Sequence, residues 1–347
     1  MNGAIASDET HGGLLDESRA RDWLEDRLPL AGGPITFAPI TGGSSNLLFL
    51  VEQNGRKFVL RRPPREKYDP TSHNMAREVR LLEALGHTDV PHPRLIAFCS
   101  DADIIGAPFL VMEHVDGFSP VGRFPEPFES DAGARRAIGL GMVEALAKLP
   151  KVDWKAIGLD GFGKPDGFLD RQVDRWMGQL ERYRTRDIPH LEPLAKWLAD
   201  NRPAQVTQGL MHGDYSFPNV MYARDVPVRM AAIVDWESCT VGDPLLDLGH
   251  LLAGWCDPGE ERTYLRGVDW RGMPTRREMA ARYTELTGLP IDSLEYYRAL
   301  ALFKLAIILE GAYSRVIKGQ NDYAPHRTLE QRVPAFIEQA WGFTRAA

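Results

Sequence analysis

The sequence predicts an α+β protein in which a short β-rich part leads into a longer helical part. Three observations carry this reading. Between residues 35 and 115 the chain offers short runs of branched and aromatic residues punctuated by Gly, Pro and Asn. Beyond residue 117 the apolar residues recur with helical spacing instead. The length, 347 residues with 44% hydrophobic content, suits two domains or one large two-lobed unit with ordinary cores.

Taken in order, residues 15–29 (LDESRARDWLEDRLP) predict a helix, with Leu15, Trp23, Leu24 and Leu28 among charges and Pro29 as the stop. Residues 35–40 (ITFAPI), 47–52 (LLFLVE) and 57–61 (KFVLR) predict three antiparallel strands. The turn signals between them are Gly42-Gly43-Ser44-Ser45-Asn46 and the hairpin pair Asn54-Gly55. Residues 73–86 predict an amphipathic helix through Met75, Val79, Leu82 and Leu85, closed by Gly86. Strands over 94–99 and 108–115 complete a β-β-β-α-β-β order. Helices are then expected over 131–149, 170–184, 190–200, 275–287 and 292–318, with strand-like pieces at 219–223 and 230–235. The division expected is an N-terminal extension with a helix (1–34), an N-lobe (35–115) and a C-lobe (116–347). No internal repeat or low-complexity tract stands out.

Composition excludes several classes. With 41 basic against 48 acidic residues and a net charge of −7, a nucleic-acid-binding surface is not expected. No run reaches the roughly 18 apolar residues of a membrane span. The best stretch, Ala299 to Leu309, is short and broken by Lys304. Cys99, Cys239 and Cys256 are odd in number and form no C-x-x-C pair, which fits reduced thiols and a cytoplasmic protein. The first 13 residues lack the basic and apolar regions of a secretory signal. The nine histidines show no metal-ligand spacing.

The most informative stretch is residues 212–219 (HGDYSFPN). Asp214 and Asn219 lie on a turn-rich loop before a short strand, and a second apolar run ends in Asp235 sixteen residues after Asn219. Phosphoryl transfer from ATP needs such a trio: one carboxylate to orient the attacking hydroxyl and take its proton, and an amide oxygen with a second carboxylate for metal ions that bridge the phosphates. In that reading Asp214 is the base, and Asn219 and Asp235 are metal ligands. The plainer reading of H-G-D alone is a turn with Asp214 as a local cap.

The pattern H-G-D-x-x-x-x-N followed by Ile233-Val234-Asp235-Trp236 resembles the aminoglycoside phosphotransferase and choline kinase superfamily. The resemblance runs from about residue 35 to 320. It implies a protein-kinase-like bilobal fold, with a five-stranded antiparallel N-lobe carrying one main helix and a mostly helical C-lobe. Residues 58–64 (FVLRRPP), 242–248 (GDPLLDL) and 303–315 (FKLAIILEGAYSR) look like the branch that includes the phosphotransferase domain associated with acyl-CoA dehydrogenases. Phe217-Pro218 departs from that branch, where many relatives have Leu-Gly; Pro218 stiffens the loop without removing a catalytic group.

The resemblance also places the nucleotide. Gly43, Ser44, Ser45 and Asn46 form a small-residue turn that would let backbone N–H groups approach a phosphate; no G-K-[ST] follows, so it is not a Walker A loop. Arg61 falls where kinase-like folds present a Lys to the phosphates, and Glu78 is its expected helix partner, although Arg77 or Arg80 could occupy Glu78 instead. Met112 would flank the adenine, with the backbone of Glu113 and Val115 at its edge. His212 is expected to be structural, and Asp247 is preferred over Asp243 as the acceptor that buttresses the loop. Trp255, Trp270 and Trp341 are expected to pack rather than to bind.

The function implied is an ATP- and Mg²⁺-dependent transfer of the γ-phosphoryl group to a hydroxyl of a small molecule. Only six residues separate Asp235 from Gly242, too few for a peptide-docking loop. The branch resemblance suggests a hydroxyacyl compound or its CoA thioester as acceptor, and the basic residues Arg262, Arg266, Arg271, Arg276 and Arg277 could meet such an anion. Alternatives are an antibiotic phosphotransferase acting on an aminoglycoside or macrolide, and a catalytically silent nucleotide-binding module.

Overall fold

Branched residues and tight turns build the first sheet. In a computed structural model of the chain the described residues are 14–29, 32–40, 46–63, 74–260, 267–320 and 327–345. Strands β1 (Ile35–Ile40), β2 (Leu47–Gln53), β3 (Arg56–Arg62), β4 (Leu95–Cys99) and β5 (Phe109–Glu113) form one sheet in the order β1-β2-β3-β5-β4. Each neighbouring pair is antiparallel. Asn54 (φ 50°) and Gly55 (φ 76°) join β2 to β3 with two left-handed residues, the geometry that matches strand twist and favours Asn-Gly.

Helix α1 (Glu17–Leu24) covers one face of the sheet. Leu24 packs there with Phe49, Val51, Phe58, Leu60, Phe109 and Val111. Asp16 caps this helix by accepting from the Arg19 N–H. The helix is shorter than the sequence predicts: the chain turns after Leu24, Arg27 donates to the Trp23 carbonyl, and Leu28 still reaches the core. Helix α2 (Met75–Leu85), capped by Asn74, brings Met75 and Val79 against Leu110. A one-turn helix α3 (Ala102–Ile105), between β4 and β5, was not foreseen.

These elements form one compact unit with the returning segment Ala232–Glu237; the rest of the chain from Gly117 onward forms the second. The second unit holds α4 (Ala132–Leu146), α5 (Gln172–Glu181), α6 (Leu191–Asp200), α7 (Leu245–Ala253), α8 (Arg276–Thr287), α9 (Leu294–Ile317) and α10 (Leu329–Phe343). Helix α9 packs against both α7 and α10. Its buried Glu310 is held by Arg186 through two hydrogen bonds of 2.9 and 2.7 Å. Short strands β6 (Gly209–Met211) and β9 (Thr240–Gly242) pair with each other, as do β7 (Val220–Tyr222) and β8 (Met230–Ile233). Among the described residues no helix is long and apolar enough to cross a membrane.

Trp255 and Trp270 pack with Phe217, and the Trp255 indole donates to the Pro274 carbonyl. Trp341 stacks on His190. The architecture is the mixed α+β, kinase-like one that the sequence implied.

Candidate active site

The first unit gathers one cation and three carboxylates. Alternation along β3 turns Arg61 toward α2, where its Nε lies 3.2 Å from Glu78 Oε2. Its Nη2 donates to Asp235 Oδ1 at 2.8 Å and to Glu237 Oε2 at 3.2 Å. Asn46 donates from Nδ2 to the same Glu237 oxygen at 2.7 Å. With all groups ionised, one positive charge faces three negative ones, an excess of two negative charges. Burial pushes the Glu78 carboxyl up to about 7 against the pull of Arg61, and Asp235 and Glu237 push the same way. Arg61 is also buried, but the three carboxylates outweigh that cost and hold its guanidinium charged.

Asp235 occupies left-handed backbone (φ 64°), which L-residues with a Cβ seldom adopt and Asp tolerates better than most. Two bonds hold it there: the Arg61 contact, and the Trp236 indole, which is buried and donates to the Ile233 carbonyl at 2.9 Å. Strained positions of this kind concentrate at functional sites. Met112 and Glu113 end β5, with Val115 two residues beyond, and the Glu113 N–H donates to the Arg94 carbonyl. Gly43, Ser44 and Ser45 lie outside the described residues.

The second unit holds the 212–219 loop, whose backbone is pinned atom by atom. Asp247 on α7 accepts from the His212 N–H (2.5 Å) with Oδ2 and from the Gly213 N–H (2.8 Å) with Oδ1. The Asp214 N–H donates to His212 Nδ1 at 3.2 Å. Asn219 Nδ2 donates both to the Asp214 carbonyl and to Asp214 Oδ2, each at 2.9 Å. The Gly213 carbonyl accepts from Lys304 on α9. Gly213 itself has φ +84°, and a Cβ there would lie 2.4 Å from the Ser238 carbonyl oxygen, so no larger residue fits.

Tyr215 and Phe217 anchor the same loop from below. Both are fully buried; the Tyr215 hydroxyl donates to the Met142 carbonyl, and Ser119 Oγ donates to that of Phe217. A single 3₁₀ turn, Phe217–Asn219, with Pro218 in it, brings the Asn219 N–H to the Ser216 carbonyl. Asp214 is left about half exposed (48% of its side chain), with His250 Nε2 3.7 Å from its Oδ1. Burial lowers His250 to about 3, and the nearby Lys304 charge adds to this, so its ring is neutral. Burial raises Asp247 to about 6 and Asp243 to about 6, each opposed by its hydrogen bonds, which include the Tyr297 hydroxyl donating to Asp243.

Sequence reasoning placed Asp247 under the loop and paired Arg61 with Glu78. It missed Glu237, His250 and Lys304. Glu237 carried a signal, two residues past Asp235; His250 and Lys304 sit in apolar helical stretches that mark only packing. Of the basic residues read as an anion site, Arg271 pairs with Asp269 and Glu129, and Arg276 with Asp257 and Glu260. Arg262 and Arg266 lie outside the described residues.

The profile of the phosphotransferase enzyme family matches residues 36–282, and the chain belongs to that family. It is 32% identical over 317 residues to acyl-CoA dehydrogenase family member 10 of Mus musculus, covering 90% of this chain but only 29% of that protein's length. A crystal structure from Ralstonia eutropha JMP134, provisionally assigned as an aminoglycoside phosphotransferase, superposes with a TM-score of 0.82 at 30% identity, covering 96% of this chain and 99% of that one. The fold is shared by a thermostable mutant of aminoglycoside phosphotransferase APH(4)-Ia in ternary complex with AMP-PNP and hygromycin B (TM-score 0.58, 16% identity, 93% of this chain and 98% of that one).

Proposed function

We propose that this chain transfers the γ-phosphoryl group of ATP to a hydroxyl of a small molecule, with Asp214 as the general base. The observation that carries this is the Asp214 carboxylate itself, half exposed and oriented by Asn219 on a loop whose backbone is held from three sides. Such a group can accept the proton of an attacking hydroxyl in a fixed geometry, and positioning of this kind supplies much of phosphoryl-transfer catalysis.

Asn219 and Asp235 would hold Mg²⁺. The donors fit: both offer hard oxygens, and Mg²⁺ is commonly held by one or two carboxylates plus substrate phosphates rather than by a closed protein cage. Among the described residues no group of three His, Cys, Asp or Glu forms such a cage. Asn219 directs its Nδ2 at Asp214, which leaves its amide oxygen as the ligating atom. The excess negative charge around Arg61 also calls for a cation. When bound, Mg²⁺ supplies neutralisation of the phosphate charge. Arg61 orients Asp235 and Glu237 and is proposed to meet the phosphate end of the nucleotide, as are residues 43–46. Met112 and the backbone of Glu113 and Val115 are proposed to meet the adenine.

The acceptor class we favour is a hydroxyacyl compound or its CoA thioester, on the strength of the likeness to an acyl-CoA dehydrogenase family member. The test is ADP release and phosphorus NMR of products over a panel of hydroxyacyl compounds, their CoA thioesters, aminoglycosides and macrolides, with Mg·ATP. A phosphorylated hydroxyacyl product is expected. Turnover confined to an antibiotic would replace that acceptor, and nucleotide binding with no product from any acceptor would make the chain a silent module.

A further inference from the structure

In the sequence Lys304 looks like an interruption of an apolar run. On α9 it stands between buried Phe303 and the buried pair Ala306 and Ile307. Placing an ammonium there is unfavourable unless it is paired. Its contacts show what it is paired with. Nζ donates to the Gly213 carbonyl, the peptide oxygen immediately before Asp214. The carboxylates of Asp214 and Asp247 attract the same charge and oppose the effect of burial on it. The indole of Trp176 lies 5.8 Å from the nitrogen.

Two helices and the His212 ring tie the backbone around this peptide. Asp247, from α7, takes the N–H groups of His212 and Gly213. Lys304, from α9, takes the one carbonyl between them and Asp214. The polar atoms of the Gly213–Asp214 peptide itself are held by Lys304, on the carbonyl, and by His212 Nδ1, which accepts from the Asp214 N–H at 3.2 Å, and these two ties set its plane. That plane fixes the direction in which the Asp214 side chain leaves the backbone. Gly213 has no side chain of its own to resist rotation, so external ties must do it.

We propose that Lys304 is a positioning residue for phosphoryl transfer, holding the Gly213 carbonyl so that the Asp214 carboxylate points at the acceptor hydroxyl. The inference rests on the reading of Asp214 as the base. A small misdirection of a positioned group can cost about 10²-fold in rate. Loss of Lys304 should therefore appear in kcat, while nucleotide affinity, set by the other unit's residues, stays as it was.

The experiment compares wild type, Lys304→Met, Lys304→Arg and Asp214→Asn as full-length proteins. Turnover of Mg·ATP is measured with the best acceptor of the panel and with water alone, and amide hydrogen exchange is followed over residues 212–219. Lys304→Met is expected to lower kcat about 10²-fold with KM for Mg·ATP within about twofold. It should also speed exchange at Gly213 and Asp214 without changing it in α9. Lys304→Arg, which keeps charge and donor, should recover to within about tenfold of wild type. If Lys304→Met does not fold, Lys304→Gln takes its place with the same expectation. Wild-type turnover in Lys304→Met, with Asp214→Asn inactive, overturns the proposal and leaves Asp214 as base. Wild-type turnover in Asp214→Asn overturns both. Unchanged exchange over 212–219 in Lys304→Met overturns the proposal whether or not any turnover is seen.

Discussion

Arg61 and Asp235, 174 positions apart in the chain, meet at 2.8 Å, and the same Arg61 nitrogen reaches Glu237 at 3.2 Å. One planar guanidinium thus ties β3 to the segment after β8, while its Nε faces Glu78 on α2. A lysine offers a single point of charge and cannot span these three partners. Arg61→Lys should lower kcat/KM for Mg·ATP by about tenfold or more, with a smaller fall in melting temperature. Arg61→Met leaves Glu78 buried without its cation and should cost about 3–5 kcal/mol of stability, read by urea denaturation. A lysine variant with wild-type kinetics would remove Arg61 from the site.

The charge excess around Arg61 sets an expectation for metal dependence. ATP alone meets net negative charge and should bind weakly; adding Mg²⁺ should strengthen binding steeply. Glu237→Gln removes one of the three carboxylates, so it should raise affinity for metal-free ATP and flatten the Mg²⁺ dependence. Calorimetric titration with and without Mg²⁺ checks this, and identical dependence in the two proteins would argue against the cluster facing the phosphates.

Gly213 meets two constraints at once, a left-handed backbone and a neighbour where a Cβ would go. Gly213→Ala should destabilise by roughly 1 kcal/mol or more and abolish turnover, because any relief of the clash moves Asp214. Full activity in the alanine variant would mean that the loop tolerates displacement.

Asp243 titrates high because it is buried, which gives a pH prediction. Its folded-state value, about 6, lies above the ordinary carboxylate value of 3.8. Between these the folded chain binds more protons than the unfolded one, so this group's contribution to stability falls as pH rises from about 4 to 6. Asp243→Asn removes the titration, and the Tyr297 hydroxyl can turn to accept from the new amide. The melting temperature of the variant should fall less steeply, or rise more, across that window. Parallel curves for the two proteins would show that Asp243 does not titrate there.

How far the sequence could be read depended on whether a residue's role was local. Asn54-Gly55, the alternation along β3 and the H-G-D-x-x-x-x-N spacing are local patterns, and each pointed to the structure found. Helix α7 was not read from the sequence; every one of its residues is buried, so no exposed polar face marks it. Helix α10 carries Pro334 inside it, a residue that ordinarily marks a helix end. Glu237, His250 and Lys304 matter through partners far along the chain, and no spacing rule reaches those. The Arg271 and Arg276 charges were visible, but their carboxylate partners could be assigned only in three dimensions.

The central claim is tested most directly by Asp214→Asn, which keeps the side chain's size and an oxygen for Asn219 while removing the base. Transfer of the γ-phosphoryl group from Mg·ATP is followed in single turnover, with nucleotide affinity measured alongside. The account predicts a fall of about 10²-fold or more in the transfer rate with affinity for Mg·ATP unchanged. A variant that transfers phosphate at the wild-type rate would contradict it.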